Sequence, residues 1–516
     1  MTFCGEWRAV GIMRALLMVG VSLACFGVQG QADSVVSRLG STITAEGLRE
    51  HLEILASDSF LGRETGKEGQ KRAAAYLRDC FQSMGVPPLD SMRLPGIREG
   101  YFQPYRVIEN KRGRTELFVD GIRLRRPDQF FYLTEVLQES VTIHHLRLLS
   151  GTQIDSSMVL SGAHVILRAQ SGGGWSMDEV RPTVELLSAR GVEICFAVLK
   201  DADFNSTKEL VHLEGTSMRL AVDQAQGGRV THSTQVFFLS ESSVRDVLGR
   251  KGARRFGRAE EGHLLRVKLR VDASRSDTIL EAENVLAFVQ GTSHPEELVV
   301  ITAHYDHIGE ESGVVYNGAD DDGSGTAALL EIAEALVTAR REGLGPARSV
   351  LVMPVSGEEK GLLGSRHYSD NPVFALERTI ANLNIDMIGR IDSAHSGTDN
   401  YVYVIGSNRL STDLHNVNEK ANAEYVGLTL DYAFNAEDDP NRFYYRSDHY
   451  NFARKGIPCI FYFSGVHEDY HQPGDDVEKI RFDLLEKRAR LVFHTAWQLA
   501  NQPSRIRIDG GRVKAR

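Results

Sequence analysis

Between residues 68 and 85 the apolar positions Ala74, Ala75, Leu77, Phe81 and Met84 recur at helical spacing and stop at Gly85. With the stretch from residue 44 they predict two helices, joined by the glycine-rich segment LASDSFLGRETGKEGQ. The pattern changes over 112–265. Short β-rich runs (TELFVDGIRL, AHVILRA, EICFAVL, TQVFFL) alternate there with turn-rich loops, and helix-like stretches lie at 178–190 and 241–249. We read 112–265 as a mainly β inserted domain that interrupts a domain begun at 33–111.

Beyond 265 the alternation becomes regular. NVLAFVQG, ELVVITAHYDH, SVLVMPVSG, TIANLNIDMIG, YVYVIG and IPCIFYF read as strands. TAALLEIAEALVTARR, a segment near 411–423 and another at 482–500 read as helices. Several strands are apolar without alternation, which suits a sheet buried on both faces. The expected fold class is therefore α/β, a mixed, largely parallel sheet flanked by helices over 33–111 and 266–505, with the mainly β insertion. Residues 506–516 read as a loose basic tail. Pro354 interrupts its strand just before Glu358 and Glu359, which normally marks an edge or a bulge.

One long apolar run stands at the N-terminus. MRALLMVGVSLACFGVQGQADS has a basic start, an apolar core and small residues before Asp33, the pattern of a secretory signal peptide over 1–32 that starts at Met1 or at Met13. It is short for a spanning helix. The expectation is an exported protein, periplasmic or secreted, with no membrane span after signal removal. Cys25 follows Leu23-Ala24 as a lipid-attachment cysteine does, but Ser22 fits that signal poorly, so a lipid anchor is the lesser reading.

Composition narrows the function classes. A net charge of −10 and a pI near 6.0 argue against a nucleic-acid partner. The 5 cysteines form no CxxC pair, so neither a disulfide framework nor a cysteine zinc site is expected.

The candidate chemistry gathers where strands should end. His304 and Asp306 close ELVVITAHYDH, Glu358 and Glu359 close SVLVMPVSGEE, and Asp386 closes TIANLNID. His471 lies in DYHQPGDD after IPCIFYF. Ligand sites of α/β sheets form at the carboxyl ends of strands, so these residues can converge although distant in sequence. GADDDGSG, with Asp320, Asp321 and Asp322 ahead of an apolar helix, poses an electrostatic problem. Clustered with Asp386 and Glu359, Asp321 would be prohibitively costly without cations. Two zinc ions would answer it, because histidine nitrogens and carboxylate oxygens suit zinc. A calcium loop is the bland alternative, but the stretch lacks the EF-hand spacing and its closing glutamate.

HYDHIG, NGADDDGSGTAALLEIA, SGEEKGLLGS, NIDMIG, SDHYNFARKGIP and DYHQPGDD resemble, in that order, the motifs of the M28 family of zinc peptidases. LASDSFLGRETGKEGQKRAAAYL resembles the N-terminal signature of its exported bacterial members. The resemblance implies two Zn2+ per chain: His304 and Asp386 on one, Glu359 and His471 on the other, Asp321 bridging. It implies Glu358 as general base, Asp306 as the group that orients the His304 ring, and Tyr444 as an oxyanion donor. It also implies a cis Asp321–Asp322 bond and, at the position of the insertion, a protease-associated domain. The expected activity is that of an aminopeptidase acting on peptides with free N-termini. A carboxypeptidase or dipeptidase on the same scaffold is the alternative, with Arg390 or Arg446 available for a terminal carboxylate. A glutaminyl cyclase, which uses a single zinc, and a non-catalytic peptide-binding protein fit less well, because the ligand positions and the base are all filled. Nothing in the sequence fixes the oligomeric state.

Overall fold

A computed structural model of the chain describes residues 34–510 apart from 93, 95, 112–114, 133–136, 138, 151–158, 170–173, 211–216, 222–233 and 274–275. The signal-peptide reading, Cys4 and Cys25 lie outside the described residues. Cys80, Cys195 and Cys459 are free thiols.

The chain divides into two compact units, one built from the residues before 107 and after 280, the other from residues 107–280. The first holds a 7-stranded sheet. Its strands are β1 (Ala287–Val289), β2 (His294–His304), β3 (Arg348–Val355), β4 (Thr379–Ile385), β5 (Tyr401–Ile405), β6 (Thr429–Asp431) and β7 (Cys459–Phe463). They lie side by side in the order β1-β3-β2-β4-β7-β5-β6. The central strands β3, β2, β4 and β7 are parallel; β1 joins antiparallel to β3 and β5 antiparallel to β7.

Alternation along β2 explains how both faces are buried. Val299, Ile301 and Ala303 face one core, which they share with helices α1 (Ala45–Leu55), α2 (Glu68–Ser83), α3 (Gly325–Arg341) and α4 (Phe482–Asn501). Leu298 and Val300 face a second core with Leu351, Met353, Tyr368 and Phe452. Pro354 sits opposite Ala303 inside the sheet. On the β1 side pairing with β3 ends at Val352, so the missing N–H falls beyond the last paired residue.

The insertion contains an 8-stranded sheet. Strands Val141–Ser150, His164–Arg168, Ile194–Leu199 and Gln235–Ser240 run parallel, with antiparallel strands outside them. Parallel neighbours need crossovers, and Met177–Ala189 and Asp201–Leu210 supply helical ones; Val244–Phe256 is a third helix. The unit spans 107–280, and helices connect strands within it. The expected loose tail is corrected. Arg507 pairs with Asp413 at 2.7 Å, and Gly510 N donates to the carbonyl of Leu410 at 3.1 Å, so the segment is docked as far as residue 510. No helix among the described residues is long and apolar enough to cross a membrane.

Candidate metal centre

The carboxyl ends of the parallel strands deliver the predicted residues to one place. His304 is the last residue of β2, Asp386 follows β4, and Glu358 and Glu359 lie in the turn after β3. His471 comes from the loop after β7, and Asp321 from the turn Ala319–Ser324 that opens α3. His304 Nε2 lies 3.3 Å from Asp321 Oδ1 and 3.6 Å from Asp386 Oδ1. His471 Nε2 lies 3.2 Å from Asp321 Oδ2 and 3.1 Å from Glu359 Oε2. The two oxygens of Asp321 therefore face two different ligand groups.

The three aspartates of the acidic turn divide their work. Asp322 accepts from the backbone N–H groups of His304 (3.2 Å), Gly325 (2.9 Å) and Met387 (3.0 Å), tying β2, α3 and the end of β4 together. Asp320 accepts from Gly389 N at 2.6 Å and faces His467 Nε2 at 3.3 Å. Only Asp321 turns its carboxylate to the centre, and its backbone N–H, with that of Asp320, is received by the Asp475 carboxylate. The Asp321–Asp322 peptide bond is cis. Gly318, just before the turn, has φ +57, and a Cβ there would come within 2.5 Å of the His307 ring.

Asp386 is held on one side only. Its Oδ2 accepts from Ser447 Oγ at 2.6 Å, and Ser447 in turn accepts from Asn384 Nδ2 at 2.8 Å, leaving Oδ1 toward His304. The His304 ring is oriented differently from the expectation. Its Nδ1 meets the backbone carbonyl of Asp306 at 3.1 Å, whereas the carboxylate stands 3.8 Å away. That carboxylate accepts from Thr65 Oγ1 at 2.7 Å and from the Glu358 backbone N–H at 3.2 Å. Asp306 thus positions the turn that carries Glu358.

The electrostatics match a site built for cations. Burial works against charge on His304, yet Asp386, Glu358 and Asp321 together raise its pKa well above the usual imidazole value. Burial likewise opposes the His471 cation, but bonds to Asp321 and Glu359 push it up to about 10. Burial pushes the Asp321 carboxyl up, and the bonds to His304 and His471 overcome it, holding the group well below the carboxylate range. Glu359 falls to about 2 on the same balance, with His307 and His471 outweighing burial and the nearby Asp321. Glu358 differs: burial, reinforced by Asp386 and Glu359, raises it well above its ordinary value. Two neighbouring glutamates with pKa values driven apart are what a ligand and a proton carrier require.

The donor set fits metal. Ligand atoms of His304, Asp321 and Asp386 all lie within 4.8 Å of one another, as do those of His307, Asp321 and Glu359. Asp321 Oδ2 and Glu359 Oε1 are buried and face only imidazole nitrogens, those of His471 and His307. Their soft–hard character, imidazole with carboxylate, suits zinc. His307, not among the candidate residues above, is fully buried with Nδ1 2.8 Å from Glu359 Oε1. The period of β2 gives no hint of it, because it lies past the strand end.

Tyr444 requires correction. It is 2% exposed, with its ring under the Arg409 guanidinium at 4.0 Å and its hydroxyl beside the Cys459 thiol. It does not line the cavity, whereas Phe443, its neighbour in the short 3-10 turn Phe443–Tyr445, does. The tyrosine that does line the cavity is Tyr470, stacked on the His471 ring at 3.9 Å. Burial, with Asp321, Glu359 and Glu358 nearby, raises its hydroxyl well above the usual phenol value. Adjacency to His471 is the signal that could have found it. Apart from Asp321, Glu358, Asp386, Arg446, Tyr470 and His471 the cavity wall is apolar: Met387, Phe443, Phe461, Phe463 and Val466.

Fold and ligand groups together define an α/β protein with a candidate metal centre at the carboxyl edge of its sheet. Residues 284–496 match Peptidase family M28. It is 28% identical to "Aminopeptidase YwaD" of Bacillus subtilis (strain 168) over 43% of this chain and 45% of that one. It is 30% identical to a "Probable leucine aminopeptidase" of Arthroderma otae over 42% of this chain and 57% of the other. The chain thus spans about half the length of these curated relatives. Among solved structures, the aminopeptidase from Aneurinibacillus sp. strain AM-1 shares the fold at a TM-score of 0.56 and 18% identity, over 92% of this chain and 98% of that one.

Proposed function

We propose that the protein is an exported aminopeptidase that removes residues from free peptide N-termini at a two-zinc centre. His304 and Asp386 would hold one ion, Glu359 and His471 the other, and Asp321 both. Zinc held there would lower the pKa of a coordinated water and polarise the scissile carbonyl. The chain's own groups do the rest. Glu358 takes the water's proton and returns it to the leaving amine. The Asp306 carboxylate fixes the backbone of Glu358, and Ser447 fixes Asp386. Tyr470, which faces the cavity, donates its hydroxyl to the developing oxyanion. The apolar wall receives an apolar N-terminal side chain and excludes water.

The observation that carries this reading is the position of Glu358. It sits one residue from Glu359 and 4.0 Å from His304 Nε2, beside both ligand groups and a member of neither. The test is mass spectrometry of an unblocked mixed-sequence peptide incubated with zinc-loaded protein. A ladder shortening from the N-terminus is expected, and shortening from the C-terminus would overturn the reading.

A further inference from the structure

Among the residues around the catalytic cavity one cation is unaccounted for. Arg446 lines it, exposed to solvent, and makes no ion pair among the described residues. Its guanidinium lies 4.8 Å from the Phe443 ring, and its Nη2 stands 3.5 Å from the Tyr470 hydroxyl. The other arginines nearby are engaged. Arg390 pairs with Asp469 at 3.1 Å and Glu468 at 3.4 Å, and Arg409 lies on Tyr444 and donates to the carbonyls of Asn435 and Ala436.

An exposed arginine left without a carboxylate at the mouth of a substrate cavity is placed to meet the anion of the substrate. We infer that Arg446 binds the free carboxylate of the residue leaving from the scissile bond, so that the preferred substrates are dipeptides.

Distance decides which carboxylate. This rests on the aminopeptidase reading, in which Tyr470 marks the scissile carbonyl. A single residue spans at most about 3.6 Å, and Arg446 Nη2 is 3.5 Å from the Tyr470 hydroxyl. A carboxylate one residue beyond the cleaved bond therefore falls within reach of the guanidinium, whose planar fork matches it. In a longer peptide the same position holds a neutral amide, which takes far less from a cation. The guanidinium stands 4.8 Å from the ring of Phe443, itself part of the cavity wall.

The experiment compares kcat/KM for Leu-Gly and for Leu-Gly amide with zinc-loaded wild type, Arg446→Met and Arg446→Lys. The two substrates differ only in the terminal charge. Wild type should prefer the free acid by about tenfold or more, chiefly through KM, as expected of a charge-assisted hydrogen bond. Arg446→Met should bring the ratio close to one, and Arg446→Lys should keep part of it. A wild-type ratio near one, or a ratio unchanged in Arg446→Met, overturns the inference while leaving the aminopeptidase reading standing. Cleavage of neither substrate overturns both.

Discussion

The guanidinium of Arg63 donates from Nη2 to the carbonyl of Gly318 at 2.9 Å, directly ahead of the acidic turn. The same side chain donates to the carbonyls of Tyr305 (2.8 Å), Asn317 (2.6 Å) and Leu55 (2.7 Å). It is 1% exposed, and burial lowers its pKa while Asp306, Asp475, Asp321 and Asp322 support the charge. One residue thus joins the end of β2, which carries His304, to the turn that carries Asp321.

Arg63→Lys should consequently loosen the metal centre as well as the fold. Lysine keeps the charge but cannot reach all four carbonyls, and each buried group left unpaired costs about 1–3 kcal/mol. A fall in Tm of roughly 5–10 °C is expected, with zinc lost to a chelator at least about tenfold faster, well below Tm, since 1.4 kcal/mol is already a factor of ten. Arg348→Lys is the control. Arg348 is equally buried, at the opposite end of β3, where it pairs with Glu297 and donates to the carbonyl of Gln502. It should lower Tm without changing zinc release. Equal zinc release in the two variants would reduce Arg63 to a packing residue.

Glu358→Gln should leave zinc content unchanged while lowering kcat by about 10²–10⁴-fold, the range of a lost general base. Glu358 is outside both ligand groups, and its turn is held through the backbone by Asp306, which the substitution does not touch. Elemental analysis and steady-state rates on one sample check it. Loss of metal from this variant would mean that Glu358 is a ligand.

Tyr470→Phe and Tyr444→Phe separate the two tyrosines. Removing one oxyanion donor costs up to about 10²–10³ in kcat, and that loss is expected for Tyr470→Phe only. Tyr444, buried beside Cys459, should change stability and little else. Rates for both variants on one amide substrate decide. A larger loss at Tyr444 would reverse the assignment.

These residues also mark what the sequence made legible. Strand periodicity together with a polar residue at each strand end located His304, Asp386 and the Glu358–Glu359 pair, because parallel strands must bring their carboxyl ends together. What escaped depends on side-chain direction inside short turns. Tyr444 and Phe443 sit in one 3-10 turn, and nothing in FYYRSDH says which faces the cavity. His307 and Arg63 act through contacts across more than two hundred positions or past a strand end, where no period applies. The insertion was legible in part. Two of its helices are readable at 178–190 and 241–249, but the crossover Asp201–Leu210, polar and weakly patterned, is not, so the parallel pairing it allows stays hidden.

Away from the metal centre, a buried carboxylate makes stability depend on pH. Glu331, in α3, is 6% exposed, and its Oε2 accepts from Thr44 N, the residue that caps α1. Burial first, then Glu334, Glu50 and Glu486, raise its carboxyl to about 7 against a favourable bond from Thr44. The imidazole facing it, His51 at 3.9 Å, is pushed down to about 4 by burial and supplies no cation at neutral pH. With a folded pKa above the unfolded one of about 4.3, the folded state binds the proton more tightly. The neutral carboxyl therefore carries no penalty below about pH 4.3, and stability is lost as pH rises toward 7, with the full penalty above it. Glu331→Gln removes that loss while keeping an acceptor for Thr44. Its Tm, measured with saturating zinc, should be close to that of wild type at pH 5 and clearly higher at pH 8. The gap should open mainly between pH 5 and 7. A difference that is the same at both ends would show that Glu331 ionises like an ordinary surface carboxylate, and that α1 and α3 pack without a buried acid between them.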